Sequence, residues 1–128
     1  MKACLHIYHN ALFGLALLLL ATSWAAHATQ ITAAKSLEGS VTVDAEGLIE
    51  LVAQYPELVI IDSRLSNDRL HGYIEGSISL PDEDTTCDSL KSHIDNYNSP
   101  ILFYCNGIKC GRSTMAVSIA LSCAYQNI

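Results

Sequence analysis

Positive charge is scarce in this 128-residue chain. Seven Lys and Arg stand against thirteen Asp and Glu, for a formal net charge of −6. Nucleic acid and anionic membrane surfaces both need a basic face, so neither is an expected partner. Zinc-type spacing is also missing: the cysteines follow no metal-ligand pattern and no second histidine is spaced to complete a site, so neither a metal nor a cofactor is expected. There is no internal repeat. Prolines number three, and Pro56, Pro81 and Pro100 each fall where a regular segment ends. The length allows one small domain.

The first 28 residues read as an export signal. Lys2 gives a short basic start, Ala11 to Ala26 is an uncharged run rich in Leu and Ala, and Ala26-His27-Ala28 fits a small-x-small cleavage site. Cleavage is expected after Ala28, placing the domain in the periplasm or otherwise outside the cytoplasm. An uncleaved N-terminal membrane anchor is the alternative, although the run is short for a span of about 20 apolar residues. Residues 29–38 read as a flexible leader, and 39–128 as the domain. Loss of Lys2 leaves six basic residues of the seven, two of which, Lys109 and Arg112, flank Cys110.

The stretch ILFYCNGIKCGRS, Ile101 to Ser113, carries the chemistry. A strand-like run delivers Cys105 to a loop with two glycines, and a helix follows from Arg112 or Ser113. Inward-facing amides of such a loop and of a helix N-terminus favour an anion, first of all the thiolate of Cys105. A thiol so placed is expected to ionise below its free pKa of about 8.5 and to act as a nucleophile.

Elsewhere the pattern alternates. Gly39 to Val43 is a strand candidate. Asp44 can cap a helix through Leu48, Ile49, Leu51 and Val52 to Tyr55. Leu58 to Ile61 is a continuous apolar run of the kind found in central parallel strands. A turn with a short helix is expected over Ser63 to His71, a strand over Gly76 to Leu80, a helix over Asp88 to Asn96 with Leu90 and Ile94 inward, and a last helix from Ser113 to Ala124. This is an α/β domain with a mostly parallel sheet, in which sites lie at the carboxyl ends of strands.

Four cysteines follow the signal segment, an even number that in an oxidising compartment raises the prospect of disulfides. A Cys105–Cys110 bridge would consume the nucleophile. Cys123 reads as a buried thiol on a face with Ala116, Ile119 and Ala120, and Cys87 as an exposed residue opening a polar helix.

Three segments in order, LVIIDSR at Leu58 to Arg64, HGYIEGSISLP at His71 to Pro81, and FYCNGIKCGRS, resemble a rhodanese domain. The resemblance implies a three-layer α/β fold and sulfur transfer, in which the loop cysteine takes sulfur from a donor such as thiosulfate as a persulfide and passes it to a thiol or cyanide-like acceptor. It makes Cys105 the carrier and the loop Asn106, Gly107, Ile108, Lys109, Cys110, Gly111 and Arg112 the cradle. Arg112 is then the ligand of the small anionic donor, and Asp62 and Arg64 support the loop. A partner redox protein is a further expectation.

The chain departs from the family pattern in four places. Six residues separate Cys105 from Arg112, more than the usual loop holds. Cys110 within that loop is a possible resolving thiol. Tyr73 stands where His is frequent. The chain stops at Asn127-Ile128, where the resemblance places a fifth strand and a final helix, so a domain lacking both is expected, with an exposed edge at the Ile101 strand. Two alternative functions stand beside sulfur transfer: a cysteine-dependent phosphatase or arsenate reductase, and a non-catalytic redox-sensing module using Cys105 and Cys110.

Overall fold

The computed structural model describes residues 37–128. The expected export signal and most of the expected leader lie outside the described residues. Three parallel strands form a sheet in the order β2-β1-β3, with β1 at Val59–Asp62, β2 at Ile78–Ser79 and β3 at Ile101–Tyr104. Helix α1 (Ala45–Gln54) precedes β1, α2 (Cys87–His93) connects β2 to β3 and α3 (Arg112–Ser122) follows β3, with 3-10 turns at Ser66–His71 and Asp82–Asp84.

Alternation along the strands sorts the two faces of the sheet. Ile61 and Ile101 point into a core with Leu80, Leu90, Ile94, Ala120 and Tyr125, against which Val59 and Phe103 also pack. Helices α2 and α3 supply Leu90 and Ala120 to that layer. The register pairs Ile61 with Phe103 and Asp62 with Tyr104. Each pair therefore shares one face, and a polar pair lies opposite an apolar one.

The helices begin and end where local chemistry directs. Asp44 caps α1 by accepting from the Gly47 N–H at 2.9 Å. Thr86 and Ser89 form a reciprocal capping box on α2, satisfying two orphan groups at the helix start. Helix α3 closes in a Schellman motif: the Tyr125 N–H bonds the Ala120 carbonyl, the Ala124 N–H bonds the Leu121 carbonyl, and Ala124 sits at φ 72°. This reversal turns the chain so that the Tyr125 hydroxyl donates to the Ile94 carbonyl at 2.8 Å.

Three expectations are corrected. Gly39 to Val43 is not a strand, because its Val41 N–H meets only the Ile128 carbonyl and no ladder forms. Helix α1 half-buries Leu48 and Leu51 but leaves Ile49 and Val52 exposed, and none of its residues is fully buried, so its covered face is narrower than the apolar spacing implied. Cys87 and Cys123 are joined in a disulfide with their Cα atoms 5.4 Å apart. Cys123 is thus not a buried free thiol. The bridge ties the start of α2 to the end of α3.

Along the edge of β3 away from β1, the Ile101 N–H donates to the Asn127 carbonyl at 2.9 Å. Beyond that bond lies a chamber of about 670 Å³ between this edge, the 37–45 segment and α1.

Candidate active site

Cys105 follows β3 directly, at the carboxyl end of the sheet. Its sulfur lies 3.3 Å from the Ser113 hydroxyl and donates to the Cys110 carbonyl at 3.0 Å. Ser113 is the second residue of α3, whose unpaired N-terminal amides carry partial positive charge. The loop between is turned by Gly107 at φ 98°, with the Cys110 N–H closing on the Gly107 carbonyl at 2.9 Å. A side chain is strained at that φ, so glycine is the residue that suits the turn.

The surroundings of the Cys105 sulfur favour its thiol form. Burial pushes the Cys105 thiol above its ordinary value and the neighbouring Cys110 adds to this, while the Ser113 hydroxyl and backbone N–H pull the other way. The sequence-based expectation of a thiol ionised below its free value is corrected on this point. The Cys110 carbonyl facing the sulfur favours S–H as donor, so ionisation requires that bond to be given up.

Arg112 does not lie free in the loop. Its guanidinium is paired with the Asp82 carboxylate in the 3-10 turn after β2, and that bond, outweighing burial, raises its pKa. The expected anion ligand thus has a carboxylate partner from another element. Asn106, Gly107, Ile108 and Lys109 are exposed, Cys110 is half-buried and Gly111 is buried. Among the described residues Cys105 and Cys110 are the free cysteines.

Behind the loop stands a buried carboxylate. Asp62 accepts from Arg64 Nε and Nη2 at 2.8 Å each, from Arg69 Nη1 at 2.9 Å and from the Tyr104 hydroxyl at 2.6 Å. Burial alone would raise its pKa, but the bonds from Arg64 and Tyr104 outweigh it and hold the carboxyl at about 2. Arg64 also reaches the Gly72 carbonyl, and its Nη1 lies 3.5 Å from Asn106 Oδ1. The Asn106 amide in turn donates to Asp68 at 2.9 Å. Asp62 and Arg64 are therefore joined to the loop from two sides, through Tyr104 before Cys105 and through Asn106 after it.

Four contributors escaped the sequence reading. Ser113 and Asp82 act on the loop directly, while Arg69 and Tyr104 complete the Asp62 cluster. The Arg-Ser pair at the helix start is a local signal that could have pointed to Ser113. The other three depend on contacts between separate elements.

This strand-end cysteine, helix-start loop and parallel sheet define an α/β domain with a free cysteine at the carboxyl end of its sheet. The family model for the rhodanese-like domain matches residues 44–128, and the chain belongs to that family. No curated protein and no solved structure matches it significantly.

Proposed function

We propose that the protein is a sulfurtransferase that carries sulfane sulfur on Cys105. The observation that carries this reading is the placement of the Cys105 sulfur at the end of β3, against the Ser113 hydroxyl and the first amides of α3. After its proton passes to water, the Cys105 thiolate attacks the outer sulfur of a donor such as thiosulfate. The Cys105–sulfur bond forms, the donor's S–S bond breaks, and sulfite departs with the electron pair. An acceptor thiolate or cyanide then attacks the outer sulfur of the persulfide, and Cys105 leaves as thiolate. Arg112 is paired with Asp82, so an oxyanion, whether a phosphate or thiosulfate, reaches its guanidinium only in competition with that carboxylate. Export from the cytoplasm is part of the proposal, because the Cys87–Cys123 bridge belongs to an oxidising compartment.

Intact mass tests the reading. The protein incubated separately with thiosulfate and with methanethiosulfonate is expected to gain one sulfur, about 32 Da, which cyanide removes and which a Cys105→Ser variant never acquires. Absence of the gain from both donors in folded protein would refute it. A second reading, a redox module, draws on the closeness of the Cys105 sulfur to the Cys110 backbone. It predicts a thiol count that falls by two under mild oxidant, with no sulfur transfer.

A further inference from the structure

We propose that Ser63 is a second hydroxyl donor to Cys105: its O–H, unpartnered while Cys105 is a thiol, turns to the sulfur when the proton leaves. The proposal rests on the reading of Cys105 as sulfur carrier for its purpose, and it extends that site to the neighbouring strand.

The backbone sets the two side chains together. Where β1 and β3 begin, the pair Val59–Ile101 is accompanied by a bond from the Val59 N–H to the Pro100 carbonyl. The Ser63 N–H repeats this step by donating to the Tyr104 carbonyl at 3.0 Å. Ser63 therefore stands beside Cys105, one position beyond the Asp62–Tyr104 pair. Residues so paired share a face of the sheet, and their strands run about 4.8 Å apart. The face is that of Ile61 and Phe103, and Ser113 reaches Cys105 from the start of α3.

The Ser63 hydroxyl is an anomaly there. Ser63 is 0% exposed, so the described residues themselves enclose it, and its carbonyl is held by the Asp82 N–H at 3.3 Å. Yet its Oγ is the one buried side-chain polar atom without a hydrogen-bond partner among the described residues. An unpaired buried hydroxyl costs stability. Sheet pairing at this position uses only the backbone, so an alanine would serve the fold as well or better.

The Cys105 sulfur offers the missing partner in its ionised form. As a thiol it donates to the Cys110 carbonyl at 3.0 Å and lies 3.3 Å from the Ser113 hydroxyl. When the proton passes to solvent, the sulfur keeps the electron pair and faces that carbonyl oxygen with no hydrogen between them. Repulsion then favours rotation of the sulfur away from Cys110, and Ser63 and Ser113 donate to it without giving up their own protons. The titratable and charged groups around this pair are Cys110 in the loop, Arg112 at the start of α3 and Asp82 in the 3-10 turn, the last two bonded to each other. Asp62, Arg64 and Arg69 form their own cluster with Tyr104, on the opposite face. With Arg112 engaged, neutral hydroxyls are the donors at hand.

The rate of Cys105 alkylation by iodoacetamide, followed from about pH 6 to pH 10 on the purified full chain, tests the proposal. Trypsin cleavage after Lys109 separates the Cys105 and Cys110 peptides, so each is read alone. A hydrogen bond to a charged acceptor changes its ionisation by about tenfold or more, so Ser63→Ala should raise the midpoint of the profile by about one pH unit. The rate at neutral pH should fall by less, about threefold, because a more basic thiolate is intrinsically more nucleophilic. The same substitution should raise the urea midpoint of unfolding at about pH 6, where the thiol form prevails, since it deletes an unpaired buried hydroxyl. Ser63→Thr keeps the hydroxyl and should keep the wild-type profile; if its extra methyl prevents folding, the two Ser63→Ala readouts decide. An unchanged profile in Ser63→Ala overturns the proposal. So does a raised profile that folded Ser63→Thr shares, which assigns the effect to packing, and so does a lowered urea midpoint in Ser63→Ala, which means that the hydroxyl is already bonded beside the thiol. None of these readouts uses a sulfur donor, so a failure of the persulfide reading is seen separately, in the mass test above.

Discussion

Replacing Asp62 by Asn separates the charge of this carboxylate from its shape. In the folded chain its pKa is held at about 2, against 3.8 for the free group. At ~1.36 kcal/mol per pH unit that difference contributes about 2.4 kcal/mol of stability at neutral pH. The folded value is the lower of the two, so the contribution is complete above about pH 5 and is lost as pH falls towards 2, where about 2 kcal/mol of it has gone. Asp62→Asn removes the charge at every pH and leaves Arg64 and Arg69 facing an amide. A cost of about 3 kcal/mol is expected at pH 7, by analogy with breaking other buried ion pairs. Urea denaturation of wild type and variant, followed by circular dichroism at pH 7, 4 and 2, isolates the effect because the other carboxylates titrate in both proteins. The gap between the two should narrow by about 2 kcal/mol from pH 7 to pH 2. A gap that stays constant across that range would refute the assignment of the stabilisation to an ionised Asp62.

Three further outcomes follow from single contacts. Cys87 and Cys123 are 36 residues apart, and closing a loop of that length in the unfolded chain is worth about 4 kcal/mol; a Cys87→Ser, Cys123→Ser protein should lose most of it in urea denaturation, and a loss under 1 kcal/mol would exclude the bridge as a principal staple. Ser113→Ala removes the hydroxyl that lowers the Cys105 pKa, so alkylation of Cys105 by iodoacetamide at pH 7.5 should slow by several-fold, with an unchanged rate counting against the contact. Ala124 occupies the left-handed region, where a Cβ costs about 1–2 kcal/mol. Ala124→Gly should therefore stabilise the chain by about 0.5–1 kcal/mol after glycine's greater entropy in the unfolded state is deducted, seen as a raised midpoint in the same titration.

The legible parts of the sequence were those fixed by neighbours along the chain. The apolar runs at Val59–Asp62 and Ile101–Tyr104 became strands within a residue of where they were expected, because a parallel strand buried on both faces needs no partner-specific code. Asp44 announced α1 by its side-chain chemistry, and Leu90 and Ile94 were correctly turned inward, both being buried. What stayed hidden needed two distant segments to meet. The bonds of Asp82 to Arg112 and of Tyr104 to Asp62 span 30 and 42 residues, and nothing local in Pro81 to Thr86 distinguishes an acidic loop from an Arg partner. The Cys87–Cys123 bridge was missed for the same reason, since each cysteine had a satisfactory local explanation. The Gly39 to Val43 strand failed in the opposite sense, as its residues suit a strand but find one carbonyl instead of a ladder.

The register of β1 against β3 joins these observations. Pairing Asp62 with Tyr104 and Ile61 with Phe103 places a carboxylate–phenol bond on one face and core hydrocarbon on the other, immediately before the chain reaches Cys105. A slip of one residue would bring Tyr104 to the core face and Phe103 to the arginines, leaving the Asp62 charge with one fewer donor and burying a hydroxyl without a partner. The buried ionic cluster thus penalises misalignment of the strand that leads into Cys105, whatever its net contribution to stability. Its second link, from Arg64 through Asn106 to Asp68, extends the same alignment across the cysteine into the loop. The position of the Cys105 sulfur is therefore bounded on both sides by contacts that trace back to one carboxylate.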